Sequence, residues 1–200
     1  MRIGLDFDNT IACYDVAIAR LSEEIFQIPN LVPRTKLGVR DYLRMQDREI
    51  EWTAFQGELY GPGMRYAQVY DGAIETMLAL RALGHEMFIV SHRSKTPYAG
   101  PQYDLHAAAR TWLKATIQSQ GLFNDDQVFF LETRDQKVQM IKELECELFL
   151  DDLPEVLEAA EFPKSTRGIL FSPDGVKEKT ATHYTTISQW TSLPALLKLA

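Results

Sequence analysis

Ile3-Gly4-Leu5-Asp6-Phe7-Asp8-Asn9-Thr10 is the stretch on which the fold turns. Ile3-Gly4-Leu5 is a short apolar run of the kind that forms a buried strand. Asp6 and Asp8 follow two residues apart, so both side chains leave the same face of the extended chain. Two carboxylates on one face repel each other unless positive charge lies between them. A divalent metal together with a phosphoryl group supplies that charge balance.

Working outward, four further strand-like runs cover residues 86–91, 127–131, 147–151 and 167–171, with the first strand at 2–7. Helical patterns separate most of them. Residues 73–83 carry an apolar stripe of Ile74, Met77, Leu78 and Leu80 and stop at Gly84. Residues 105–118, 136–144 and 154–160 give three more helices. This alternation predicts an α/β fold, a Rossmann-type parallel sheet sandwiched by helices. Residues 14–68 break the rhythm with helical patterns at 15–26, 35–45 and 47–59 and no strand. The expected organisation is therefore a core domain, 1–13 and 69–200, with a small all-helical subdomain, 14–68, inserted after the first strand. Gly61-Pro62-Gly63 marks its exit as a hinge.

Composition narrows the function. Hydrophobic residues are 46% and charged residues 24% of the 200, an ordinary globular mixture. A formal charge of −7 argues against a nucleic-acid partner, whose binders are normally basic. No apolar run approaches the roughly 20 residues of a membrane span. The N-terminus lacks a signal-peptide pattern, since Asp6 interrupts the apolar run. A cytoplasmic protein is expected, with Cys13 and Cys146 as two buried thiols rather than a disulfide or a zinc site.

Open parallel sheets bind ligands beyond the carboxyl ends of their strands. Here the first strand ends in Asp6 and Asp8. The second ends in Ser91-His92-Arg93, and the fourth in Asp151-Asp152. Lys137 begins the helix ahead of the fourth strand. Each feature alone suits a turn, a cap or a solvated helix face. Their order along one chain brings acidic, hydroxyl and cationic groups to one sheet edge.

In that order the four pieces resemble the motifs of the haloacid dehalogenase (HAD) superfamily. Asp6-Phe7-Asp8-Asn9-Thr10 is similar to its DxDx(T/V) motif, Ser91 to the second motif, Lys137 to the third, and Asp151-Asp152 to the fourth in its double-aspartate form. The resemblance covers about residues 1–13 and 70–172, and the helical insertion sits where the superfamily places its type-1 cap. Position 9 is Asn9, where many relatives have Gly. Thr133-Arg134-Asp135 and the helical cap are faintly similar to the deoxyribonucleotidase branch.

The resemblance implies a Mg²⁺-dependent phosphatase with an aspartyl-phosphate intermediate. Asp6 would be the nucleophile, and Asp8 the general acid and then base. Metal ligation would fall to Asp6, the Asp8 backbone carbonyl and Asp152, with Asp151 sharing that role or supporting it from behind. Ser91 would donate to the phosphoryl group and Lys137 would neutralise its charge. Thr10 would brace the loop and orient Asp8. Asp8 argues against a true dehalogenase, which releases halide and needs no second acid.

Thr10, His92, Arg93 and Arg44 complete the candidate binding set. Arg40, Arg44 and Arg48 recur every four residues within a basic run that includes Arg34 and Lys36, with Asp41 and Asp47 as acids in the same stretch. That face either meets an anionic substrate or is solvated and paired. The aromatics Trp52, Phe55, Tyr60, Tyr66 and Tyr70 suit mainly a subdomain core. The expected partner is a small phosphorylated metabolite, a nucleotide or a sugar phosphate. A phosphotransferase on the same residues and a non-catalytic phosphate-binding protein are the alternatives.

Overall fold

The structure, a computed structural model, describes residues 1–175 and 184–197. Positions 176–183 and 198–200, part of the expected core domain, lie outside the described residues. Two compact units are present: Met1–Ala12, Val69–Arg93 and Ile117–Ala200 form the first, and Cys13–Gln68 with Ser94–Thr116 form the second.

The first unit is built on six parallel strands among the described residues. They are β1 (Arg2–Leu5), β2 (Glu86–His92), β3 (Val128–Leu131), β4 (Leu148–Asp151), β5 (Arg167–Phe171) and β6 (Tyr184–Ile187). Their spatial order is β3-β2-β1-β4-β5-β6. The order reverses at β1, so a crevice opens at the carboxyl ends of β1 and β4. Ile3, Gly4 and Leu5 pair with Met87, Phe88 and Ile89 on one side and with Leu148, Phe149 and Leu150 on the other. The central strands are buried on both faces, which is why they read as unbroken apolar runs.

On one face, Phe88, Val90, Phe149 and Leu170 pack with Val138 and Ile141 of helix α6 (Arg134–Glu143) and with Val156 and Leu157 of α7 (Pro154–Leu157). On the other, Phe171 meets Tyr70 edge-on and lies against Trp190. There α4 (Ala73–Ala82) adjoins α8 (Leu193–Leu197). Gly4 admits a close approach, since a Cβ there would lie 2.8 Å from Phe149 Cε2 and 3.0 Å from Cys146 Sγ. Cys146 is buried and Cys13 only half-buried, so one of the two expected buried thiols is partly open; neither is in a disulfide.

The second unit is helical: α1 (Asp15–Glu24), α2 (Lys36–Met45), α3 (Glu49–Tyr60) and α5 (Leu105–Thr116). Residues 94–116 belong to it in addition to the 14–68 segment. Trp52, Phe55 and Phe26 form an aromatic cluster. Trp112 Nε1 donates to Ala67 O at 3.0 Å. Gly61-Pro62-Gly63 opens a 3-10 turn, Pro62–Tyr66, in which Gly63 and Met64 are buried. No helix among the described residues is long and apolar enough to cross a membrane.

Candidate active site

β1 delivers Asp6 into the crevice, and the ladder continues one step further, with Asp6 N–H donating to Leu150 O at 2.8 Å. Beyond it the chain turns back on itself: Asn9 N–H bonds Ala12 O, and Ile11 and Ala12 N–H groups bond Phe7 O. The turn needs a left-handed residue, and Asn9 supplies it at φ +55. Asparagine tolerates that region better than most residues, so the loop forms without the usual glycine.

Asp6 is 3% exposed. Its Oδ1 accepts from Lys137 Nζ at 2.6 Å, and its Oδ2 from the Thr10 hydroxyl at 3.2 Å. Thr10 is itself held, its carbonyl accepting from Trp190 Nε1 at 2.9 Å. Lys137 is fully buried in the first turns of α6. That helix starts at a capping box, in which the Thr133 hydroxyl accepts from Gln136 N–H and the Gln136 side chain accepts from Thr133 N–H. Lys137 Nζ also lies 2.7 Å from Asp151 Oδ2. Burial opposes its charge, but Asp151 and Asp6 outweigh that and hold the ammonium above its ordinary pKa.

Asp151 ends β4 and Asp152 follows it. Asp151 Oδ1 accepts from Leu153 N–H at 3.0 Å. Burial first, then the charges of Asp6 and Asp152, push the Asp151 carboxyl above its usual range, with Lys137 opposing. Carboxylate oxygens of Asp6, Asp151 and Asp152 all lie within 4.8 Å of one another. One ammonium against three carboxylates leaves negative charge suited to a divalent cation, and the donors are all hard oxygens, as Mg²⁺ requires. The Ser91 hydroxyl, on β2, is buried and makes no hydrogen bond. An unmatched buried hydroxyl near the end of the strand adjacent to β1 is a donor that an incoming oxyanion would satisfy. The residues therefore fit a divalent metal with a phosphoryl group.

Asp8 differs from this cluster. Its carboxylate is taken by Arg93, with Nε donating to Oδ2 at 3.1 Å and Nη2 pairing with Oδ1. His92, half-buried at the end of β2, is held below the usual histidine pKa by burial first and by the charge of Lys137 second. Arg44 lies in the second unit, exposed, with its guanidinium paired in a fork to Glu49 at 2.7 and 2.8 Å. That pairing raises the pKa of Arg44 and lowers that of Glu49. Arg48 pairs likewise with Glu51, and Arg40 with Asp41. The basic run thus carries its own counter-charges, two of which, Glu49 and Glu51, come from the next helix.

Asp6, Thr10, Lys137, Asp151 and Asp152 form one buried constellation, and Ser91 lies near the end of the adjacent strand β2. Sequence reasoning missed the tie from Trp190 to Thr10, which joins residues 180 positions apart and leaves no local signal. It also missed the Arg93–Asp8 fork.

A parallel sheet of this order, with acidic residues at the ends of its first and fourth strands, defines an α/β fold of the HAD type, and the chain has the fold of HAD-superfamily hydrolases. A HAD family hydrolase from Deinococcus radiodurans, solved with bound phosphate and sodium, superposes with a TM-score of 0.61 at 17% identity, covering 99% of this chain and 95% of that one. Protein Tyrosine Kinase A of Mycobacterium tuberculosis superposes at 0.62 with 16% identity, covering 98% and 97%. No family model matches the chain. Two curated proteins, each bearing the name "Putative nucleotidase", are similar to it. The one from Oceanobacillus iheyensis is 25% identical over 169 residues, 79% of this chain and 80% of that protein. The one from Bacillus cereus is 23% identical over 216 aligned positions, 99% of this chain and 98% of that protein.

Proposed function

We propose that the protein is a Mg²⁺-dependent phosphomonoester hydrolase that works through a phosphorylated Asp6. The observation that carries this reading is the buried Asp6 carboxylate held 2.6 Å from Lys137 at a strand end, beside Asp151 and Asp152. Asp6, Asp151 and Asp152 would hold the metal, with the Asp8 carbonyl as a further ligand. When bound, Mg²⁺ supplies the positive charge that lets an anionic phosphoryl group approach an anionic nucleophile.

The chain's own groups do the rest. An Asp6 oxygen forms a bond to phosphorus, the bond to the leaving oxygen breaks, and that oxygen keeps the electron pair and takes a proton from Asp8. Water then bonds to phosphorus and passes a proton to Asp8. The Asp6–phosphorus bond breaks, returning the Asp6 carboxylate and free phosphate. Lys137 and Ser91 bind the phosphoryl oxygens, and Lys137 balances the charge that builds there. His92, largely neutral near pH 7, contributes a polar edge at the site.

The names of the two relatives point to a nucleoside monophosphate as the first substrate class to test. The test is phosphate release from a panel of nucleotides and sugar phosphates, with and without Mg²⁺, beside Asp6→Asn. Metal-dependent release that vanishes in the variant supports the reading. Release that persists in the variant, or needs no metal, overturns it.

A further inference from the structure

We propose that Arg93 is a positioning residue that aims Asp8 at the leaving-group oxygen. The inference rests on the phosphatase reading and adds to it a residue that acts on the acid rather than on the phosphate.

Arg93 follows β2 directly and is anchored there, its N–H donating to Leu131 O at 2.8 Å. It is only 8% exposed. Its guanidinium lies over the rings of Phe7 and Phe130, 5.3 and 5.8 Å from their centroids. Those two rings meet edge-on, 5.3 Å apart, and make a fixed platform. From it, Nε and Nη2 reach both oxygens of Asp8. A two-point fork fixes the rotation of a carboxylate as well as its position, which a single charge cannot do. Each Asp8 oxygen has a second lone-pair site, so the proton it trades still has a place. Phe7 stands between the two aspartates in sequence, so one motif carries the nucleophile, the acid and part of the platform under the acid's clamp.

The test compares kcat/KM for an alkyl ester, a nucleoside 5′-monophosphate, with kcat/KM for p-nitrophenyl phosphate, whose phenolate departs without needing a proton. This ratio reports only the steps through release of the leaving group, so the later hydrolysis does not enter. In Arg93→Met the alkyl-to-aryl ratio falls by about 10²-fold, the lower end of what a positioned acid supplies. Asp8→Asn shows the same fall, and the double variant adds little to it, because the two residues act as a unit. Arg93→Lys keeps the charge and loses the fork; it shows the same direction and serves where the Met variant does not fold. Equal losses on both esters, or an unchanged ratio, overturn the proposal and return Arg93 to phosphate binding or packing. A wild-type protein that releases phosphate from neither ester with Mg²⁺ overturns the phosphatase reading itself, and the inference with it.

Discussion

Replacing Lys137 with Met removes one charge from the most tightly balanced place in the protein. Met keeps most of the apolar stem, which runs past the Phe149 ring 5.4 Å from the ammonium, so the change is mainly electrostatic. Lys137 is fully buried and sits 2.6 Å from Asp6 and 2.7 Å from Asp151. At an effective dielectric of about 20, each such contact is worth about 6 kcal/mol before the desolvation cost is subtracted. Removing one partner of a buried ion pair costs about 3–5 kcal/mol net, because the other partner stays buried and unmatched. For a chain of this length each kcal/mol moves the melting temperature by about 2–4 °C, so the metal-free variant melts about 6–20 °C lower. Added Mg²⁺ narrows that difference. The variant carries one more net negative charge at the carboxylates, so it binds the cation more tightly, and a ligand at about 100 times its dissociation constant adds about 2.7 kcal/mol. Thermal melting of both proteins, with EDTA and with Mg²⁺, measures both effects. Equal melting temperatures in EDTA would refute a charge balance that depends on Lys137. A Mg²⁺ shift no larger in the variant than in the wild type would refute the assignment of the carboxylates to a metal.

Three other outcomes follow from particular residues. His92 has its pKa lowered by burial and by Lys137, so below its ordinary value of about 6.5 the unfolded chain takes up a proton that the folded one refuses. Stability therefore falls as pH drops through that value, and His92→Gln flattens the slope in urea titrations between about pH 5 and 7; an unchanged slope counts against it. Burial pushes the Cys146 thiol up to about 12, so in native protein at pH 8 iodoacetamide leaves Cys146 unmodified and labels it only on unfolding. Mass mapping that finds Cys146 labelled at the rate of an open thiol contradicts this. Gly4→Ala drives a methyl into Phe149 and Cys146 and lowers unfolding stability by about 1–3 kcal/mol; a neutral effect in urea titration shows that the core can yield there.

Much of the site is legible because its groups sit at strand ends, and strand ends are read from apolar runs. Asp6, Ser91 and Asp151 each close such a run, and chain order identifies Lys137. What escapes is pairing across distance. Asp8 and Arg93 are 85 positions apart, and nothing near either residue announces the fork. Arg44 reads as part of a basic face, Arg34 to Arg48, whose acids in the same stretch are Asp41 and Asp47. The chain turns there, with Asp47 at φ +55, and brings Glu49 and Glu51 back to Arg44 and Arg48. β6 is missed because Tyr184-Thr185-Thr186-Ile187 is an edge strand, only partly buried, and lacks the apolar run that marks the central strands. The Asp151–Asp152 choice is open in sequence. In the fold Asp151 turns to Lys137 and the Leu153 N–H, and an Asp152 oxygen lies within 4.8 Å of oxygens of Asp6 and Asp151.

On the proposed mechanism Asp6 carries the phosphoryl group. The direct measurement is to quench the protein in acid during turnover of a nucleoside monophosphate with Mg²⁺ and map phosphorylation by mass spectrometry. The tryptic peptide running from Ile3 to Arg20 holds both Asp6 and Asp8. A hydroxylamine-sensitive phosphoryl group is expected on Asp6, absent from Asp6→Asn and, with p-nitrophenyl phosphate in place of the nucleotide, accumulating in Asp8→Asn. Steady phosphate release with that peptide unmodified in every sample would contradict it.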